Sequence, residues 1–158
     1  MRNDKGQSLI EVIVAATVGI LVVSALTFTT IFSLRNANLA KNSAQATKLA
    51  QEGIEKVRSI RDRDIDGKVA YTDAQGNQIT KFSQLWIIKC SQNNCYFYLN
   101  SSDVLSKGND PGNGHFKKQV LIEDDSPADQ QKKITVIVTW TDFSGSHESR
   151  LTTILRRL

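Results

Sequence analysis

The chain has 158 residues, a formal net charge of +4 and a hydrophobic fraction of 40%. Once a membrane segment is set aside, this length leaves material for one small domain of roughly a hundred residues, which argues against a multidomain enzyme. The two cysteines and two histidines are too few for a convincing zinc site. Basic residues are interleaved with acids along the chain, which is typical of a solvated surface.

The N-terminal part is a long apolar segment. No charged residue occurs between Val12 and Leu34, and as a helix this stretch would be roughly 35 Å long, enough to cross the hydrocarbon core of a bilayer. Arg2 and Lys5 precede it, and such a positive flank retains an N-terminus in the cytoplasm. The sequence therefore predicts a single transmembrane helix, with the rest of the chain outside the cytoplasm.

A short basic leader ends at Gly6, ahead of the apolar segment. An ordinary secretory signal has a shorter apolar region and a cleavage site after it, so that the apolar part is discarded. Cleavage after Gly6 would instead leave the apolar helix on the mature protein. The residues that follow are Gln7, Ser8, Leu9, Ile10 and Glu11. This order resembles the N-terminus of the type IV prepilin family, which includes the pseudopilins of type II secretion.

The resemblance implies how the chain is processed and where it resides. A prepilin peptidase would remove residues 1–6 by cutting between Gly6 and Gln7, and the new N-terminus would be methylated. The chain would be held in the cytoplasmic membrane before assembly and would then enter an extracellular pilus or pseudopilus. Its partners would be other pilin subunits, the peptidase and, before assembly, the membrane.

Glu11 is an ionisable residue near the start of the apolar segment. A charged side chain within a membrane costs about 2.5 to 3.5 kcal/mol on insertion scales, which favours a pairing role. The resemblance supplies the partner, because in this family the carboxylate accepts the free α-amino group of a neighbouring subunit, here that of Gln7. The alternative is that Glu11 only lies at headgroup level, where the helix N-terminal dipole favours it.

The helical pattern continues beyond Leu34 and becomes amphipathic. Apolar or small residues recur at steps of three and four: Ala46, Leu49, Ala50, Gly53, Ile54, Val57 and Ile60. No proline interrupts residues 8–62, so the sequence predicts one helix of about 80 Å. We divide the chain into a leader (1–6), a membrane or filament-core helix (7–34), an amphipathic half of the same helix (35–62) and a β-rich globular part (63–158). Residues 49–62 also resemble the helix end of minor pilins and pseudopilins.

An acidic loop follows the helix at residues 62–73. Its spacing matches an EF-hand-type calcium loop, with oxygen ligands at alternating positions and a glycine at position six. The expected ligands are Asp62, Asp64, Asp66, the Lys68 carbonyl and Asp73, with the glycine at Gly67. The alternative is a polar turn that ends the helix, with carboxylates that are only solvated.

Two cysteines flank the turn of a predicted hairpin. Residues 85–89 and 96–99 are apolar and aromatic, and residues 91–94 form a polar turn between them. Cys90 and Cys95 would then face each other at a Cα separation within disulfide range, about 4.5 to 5.5 Å. An extracytoplasmic location permits oxidation. A pair of free thiols is the alternative.

The remaining sequence predicts an antiparallel meander. Residues 116–123, 134–141 and 151–155 read as strands, and Ile134, Val136, Val138 and Trp140 alternate onto one face. Four or five strands packed on the amphipathic helix give an α+β fold, because neither layer could be buried alone. This agrees with the pilin fold that the N-terminus implies.

The sequence shows no grouping that indicates catalysis. No nucleophile elbow, phosphate-binding loop or HExxH motif is present, and His115 and His147 are interpreted as isolated surface residues of loops. We therefore expect a filament subunit and not an enzyme.

Two other classes remain open. One is a secretion or competence pseudopilin that binds DNA through basic and aromatic residues: Lys117, Lys118, Lys132, Lys133, Arg156, Arg157, Trp86, Tyr96 and Tyr98. The other is a single-pass surface protein that stays anchored and never polymerises.

Overall fold

The computed structural model describes residues 5–72, 76–86, 95–100, 102–112, 114–125 and 130–157, with side chains from residue 9 onward. The chain divides into two compact units, an N-terminal unit (Met1–Asn42) and a C-terminal unit (Ser43–Leu158). A single helix, α1, spans Lys5–Arg63 and contributes to both units.

The N-terminal unit consists, where it is described, of the first part of α1. Every described side chain from Leu9 to Lys41 is exposed, including the large apolar ones. Four threonines of this part donate their hydroxyls to backbone carbonyls three or four residues earlier: Thr17, Thr27, Thr29 and Thr30. These bonds satisfy the hydroxyls without water, as a lipid environment requires. The helix is long and apolar enough to cross a membrane, which fits the predicted span.

The C-terminal unit contains the end of α1 and, among its described residues, a seven-stranded sheet. Its strands are β1 (Val69–Thr72), β2 (Gln78–Ile79), β3 (Tyr96–Leu99), β4 (Leu105–Lys107), β5 (Phe116–Asp125), β6 (Gln131–Asp142) and β7 (Gly145–Arg156). A 3₁₀ helix, Phe82–Trp86, follows β2 along the chain.

The sheet has the strand order β2-β1-β4-β3-β5-β6-β7. Every neighbouring pair is antiparallel except β1 and β4, which run parallel. The long strands β5, β6 and β7 form a continuous meander, as the sequence predicted. β-Branched residues dominate the buried face of β6, where Ile134, Val136 and Val138 are fully buried.

The last part of α1 packs on this buried face and runs in the same direction as β7. Thr47 contacts Ser149 near the start of the packed segment, at 3.2 Å between the hydroxyl oxygens. Farther along, the guanidinium of Arg58 donates to the hydroxyl of Thr153 at 2.9 Å. The predicted helix face is confirmed, because Ala46, Ala50, Ile54, Val57 and Ile60 are all buried. The fold is therefore the α+β fold that was predicted.

Two details differ from the sequence prediction. The strand expected at residues 85–89 is wrong where it is described, because Leu85 and Trp86 belong to the 3₁₀ helix. Residues 87–94, which include the expected turn, lie outside the described part. The sheet also has more strands than the four or five expected, since β1, β2 and β4 are only two to four residues long.

Candidate assembly site

The predicted processing site lies in the first turn of α1. The backbone of Gly6, Gln7 and Ser8 is helical, and the helix begins at Lys5. Glu11 follows Gln7 by four residues, a spacing that puts both positions on the same face of a helix. Position 11 and the predicted new N-terminus at position 7 therefore lie on one side of the helix.

Glu11 lies in apolar surroundings. It is exposed, and it borders a shallow groove of the helix surface with Ile10, Val14, Ala15, Val18 and Gly19. It is also the only charged residue between Leu9 and Leu34. An isolated carboxylate on an exposed apolar helix is costly in a membrane and calls for a cationic partner from another molecule.

Comparison with known families identifies this segment. A family model, the prokaryotic N-terminal methylation motif, matches residues 1–27. The chain carries the type IV pilin and pseudopilin signal. This motif is the signal of type IV pilins and pseudopilins, for which assembly with other pilin subunits and cleavage by a prepilin peptidase are the general expectation. The match ends well before the C-terminal unit begins, and no curated protein and no solved structure matches the chain.

The predicted calcium ligands have other partners in the structure. The carboxylate of Asp62 accepts a hydrogen bond from the guanidinium of Arg61 at 2.7 Å, and the Lys68 carbonyl accepts one from the Leu105 amide at 2.9 Å. Among the described residues, no three acidic, histidine or cysteine side chains are grouped so that they could hold a metal ion. Asp73 lies outside the described residues. Calcium binding at this loop therefore stays a prediction.

Asp64 and Asp66 instead organise the turn after α1. Asp64 has a positive φ of 41°, and its carboxylate accepts a hydrogen bond from the Ser83 amide at 2.8 Å. Burial raises the pKa of Asp64, but hydrogen bonds from Ser83 outweigh this and hold the pKa below its ordinary value. A hydrogen bond from Thr80 is the main cause that lowers the pKa of Asp66. Both carboxylates therefore tie the end of α1 to the segment around the 3₁₀ helix.

Cys95 is buried immediately before β3, and its carbonyl accepts a hydrogen bond from the Ile122 amide at 3.1 Å. Cys90 lies outside the described residues. The Cys90–Cys95 disulfide therefore stays a prediction.

The basic and aromatic residues considered for DNA binding do not form one surface. Trp86 is buried, and Lys132 is buried in an ion pair with Asp124. Lys117 pairs in register with Thr139 at one end of β6, whereas Arg156 lies opposite Gln131 at the other end. The DNA-binding alternative thus gains no support from this arrangement.

A serine, a histidine and an aspartate meet at the β6–β7 turn, which the sequence interpretation missed. The Ser144 hydroxyl donates to the Asp142 carboxylate at 2.6 Å, and both groups contact His147 Nε2, at 3.0 and 3.1 Å. In a catalytic triad the aspartate binds Nδ1 and the serine binds Nε2. Here both contact the same nitrogen, so the cluster does not have triad geometry.

His147 is consequently not an isolated loop residue. It lies on β7, and its ring stacks on Trp140 at 5.4 Å between ring centroids. The Ser144 hydroxyl is the main cause that lowers the pKa of Asp142. The signal that was overlooked is the Asp-x-Ser-Gly sequence, because an aspartate at this position accepts the backbone N–H two residues on, here that of Ser144 at 2.8 Å. The absence of enzymatic activity stays a prediction.

Proposed function

We propose that this chain is a structural subunit of an extracellular type IV pilus-like filament, and specifically a minor pilin. It is inserted in the cytoplasmic membrane as a single-pass precursor. Prepilin peptidase cuts between Gly6 and Gln7, and the mature chain then leaves the bilayer for the filament. The small, irregular C-terminal unit supports the assignment to the minor class.

The observation that carries the proposal is the lone Glu11 on an exposed apolar helix, four residues after the expected mature N-terminus. Cleavage creates an ammonium group at Gln7 of each subunit. A salt bridge from that ammonium to Glu11 of a neighbour neutralises both charges as they enter the apolar filament core. The apolar side chains of the segment, which are exposed in the isolated chain, are then buried among those of neighbouring helices.

Glu11→Gln tests the assembly role. The variant keeps the size of the side chain and the processing site, so we expect it to be cleaved normally, to accumulate in the membrane and to be missing from shed filaments. Glu52→Gln is the matched control, because Glu52 is an exposed glutamate of α1 outside the apolar segment. The measurement is an immunoblot of the sheared filament fraction and of the membrane fraction.

Equal amounts of Glu11→Gln and Glu52→Gln in filaments would contradict the pairing role and leave Glu11 as a headgroup-level residue. The same blots separate the alternatives. A permanently anchored protein would be absent from the sheared fraction in every variant. Whether the filament serves a pilus, secretion or DNA uptake is decided by which of these processes a deletion of the gene abolishes.

A further inference from the structure

Strand β7 forms a long open edge of the sheet. It pairs with β6 along its whole length, from Gly145 to Arg156, and within the described parts of the chain no strand lies on its other side. Open edges are usually protected by proline, charged side chains or a bulge. Residues 145–156 contain no proline, and their pairing with β6 runs without a skipped residue, but they carry Glu148, Arg150 and Arg156. This edge is therefore able to accept only a strand whose side chains do not repel these charges.

The centre of β7 carries two opposite charges one position apart. Glu148 and Arg150 point to the same face of the sheet, and the Arg150 guanidinium donates to both carboxylate oxygens of Glu148, at 2.9 and 3.1 Å. Both side chains are about half exposed. Ser149 lies between them on the opposite face.

We propose that β7 pairs antiparallel with β7 of a second copy of this chain, with the twofold axis at Ser149. In this register Glu148 faces Arg150 of the second copy, and Arg150 faces its Glu148. The four charges then alternate in sign, and opposite charges directly across a strand pair are stabilising. Ser146 faces Thr152 of the second copy, so no like charges meet within residues 145–153.

The charges also select this register over its neighbours. Moving the axis by one residue to Glu148 places two glutamates opposite each other, and moving it to Arg150 places two arginines opposite each other. Both arrangements are destabilised by repulsion between like charges. A centre at Ser149 is therefore favoured over either adjacent centre.

The pairing determines how the two copies are oriented. A twofold axis perpendicular to the sheet reverses β7, and it also reverses the part of α1 that runs along β7, from Thr47 beside Ser149 to Arg61 beside Arg156. The two helices therefore enter the joined sheet from opposite ends.

Cysteine crosslinking of the full-length chain in detergent micelles tests the pairing. Ser146→Cys together with Thr152→Cys places each cysteine opposite one of the second copy, at a Cα separation of about 4.5 to 5.5 Å, within disulfide range. Either single variant leaves its two cysteines about six residues out of register, or roughly 20 Å apart. We expect the double variant to form disulfide-linked dimers under mild oxidation, whereas the single variants and the wild type stay at background.

A second set of variants tests the register. In the double-cysteine chain, Glu148→Arg places one arginine opposite Arg150 of the second copy in each of the two cross-strand pairs, so the dimer should be lost. Adding Arg150→Glu exchanges the two charges and should restore it. An unchanged yield with Glu148→Arg alone would overturn the proposed register.

Two controls make the result decisive. If the single variants form as much dimer as the double variant, the crosslinks arise from random collision and the proposal is overturned. The proposal is also overturned if the double variant has the wild-type melting temperature and forms no dimer. If the double variant has a lower melting temperature, the crosslinking experiment is replaced by sedimentation of the chain without added cysteines. We then expect the wild-type chain to sediment as a dimer and the Glu148→Arg variant as a monomer.

Discussion

Glu11 and Lys132 are both ionisable side chains next to apolar surfaces, but they differ in burial and in whether a nearby residue of the chain compensates their charge. Lys132 is 1% exposed, and Asp124, directly opposite on β5, forms an ion pair with it. Glu11 is exposed and lies in a segment with no other charge. The charge of Lys132 is thus neutralised within the chain, whereas in the proposed filament that of Glu11 is neutralised by another subunit.

Removing Asp124 should destabilise the C-terminal unit more than removing Glu123. Asp124→Asn leaves Lys132 buried without its carboxylate, at a cost of up to about 3 kcal/mol. Glu123→Gln breaks only the exposed pair with Lys133, which costs about 0 to 1 kcal/mol. Urea unfolding of the full-length chain in detergent, followed by tryptophan fluorescence, measures the two free energies. Equal losses would contradict a buried, charge-compensated Lys132.

Asp103 combines a backbone strain with an ion pair. Its φ is 55°, and its carboxylate accepts a hydrogen bond from Lys56 at 2.6 Å. We expect Asp103→Asn to lose the ion pair alone, about 0.2 to 1 kcal/mol, because asparagine tolerates this backbone conformation. Asp103→Ala should lose about 1 kcal/mol more through strain. The melting temperatures in detergent rank the wild type, Asp103→Asn and Asp103→Ala by stability. An alanine variant as stable as the asparagine variant would contradict the backbone strain at this position.

The same residue should contribute to the pH dependence of stability. The hydrogen bond from Lys56 is the main cause that lowers the pKa of Asp103 below its ordinary value of 3.8. A carboxyl with a lowered folded-state pKa stabilises the fold fully above the ordinary value and loses this contribution as the pH falls through the lowered value. The stability of Asp103→Asn should therefore approach that of the wild type in acid. A constant difference down to low pH would contradict this assignment.

At the scale of the elements, contact between α1 and the sheet depends on small residues. Gly53 lies against Val136, and a Cβ added at Gly53 would be 2.9 Å from Val136 Cγ1. Val136 is β-branched and fully buried, so it has little room to move. Close approach of the helix therefore requires glycine at this position.

Gly53→Ala should destabilise the C-terminal unit by about 1 to 3 kcal/mol through overpacking, despite the better helix propensity of alanine. Gly19→Ala is the matched control, since its added Cβ would meet no atom within 4 Å. Adding Val136→Ala to Gly53→Ala removes the clash, and the two changes should cost less together than the sum of each alone. Urea unfolding measures the differences, and strict additivity would contradict the contact.

The sequence predicted the elements with a strong periodic pattern and missed those without one. The helix face and the alternation of β6 follow directly from spacings of three to four and of two. Continued to Lys132, the same alternation places that lysine on the buried face, which its charge had obscured. The 3₁₀ helix has buried residues at Phe82, Leu85 and Trp86, a helical spacing hidden within an apolar run that resembles a strand. Strands β1, β2 and β4 are too short to carry a pattern.

The processing and assembly residues were assigned from local order in the sequence, and their roles stay predictions. Gly6, Gln7 and Glu11 are consecutive parts of one motif, so their relation is visible in the sequence and needs no tertiary structure. The acidic loop was less predictable, because its spacing matches a metal loop while the actual partners of Asp64 and Lys68 are Ser83 and Leu105, which are distant in sequence. The cluster at Asp142 was missed for a related reason, since it forms only when the turn closes.

At the scale of the whole molecule, the two units suit two surroundings. The described side chains of the N-terminal unit up to Lys41 are exposed, and its threonine hydroxyls are satisfied within the helix. The C-terminal unit has its own apolar core, built from the end of α1 and the sheet. A membrane or a filament core can cover the exposed apolar side chains of the N-terminal unit, while the apolar core of the C-terminal unit is already buried. This division is what a subunit that passes from a bilayer into a polymer requires.

The intact mass and N-terminal sequence of the chain purified from its native membrane test the central claim most directly. We expect a mature chain that begins at Gln7, with or without an added methyl group at its N-terminus. Gly6→Val should block cleavage and leave the full-length mass, whereas Gly19→Ala should be processed like the wild type. A chain that still begins at Met1, in cells that cleave other prepilins, would contradict the account and leave a plain membrane anchor.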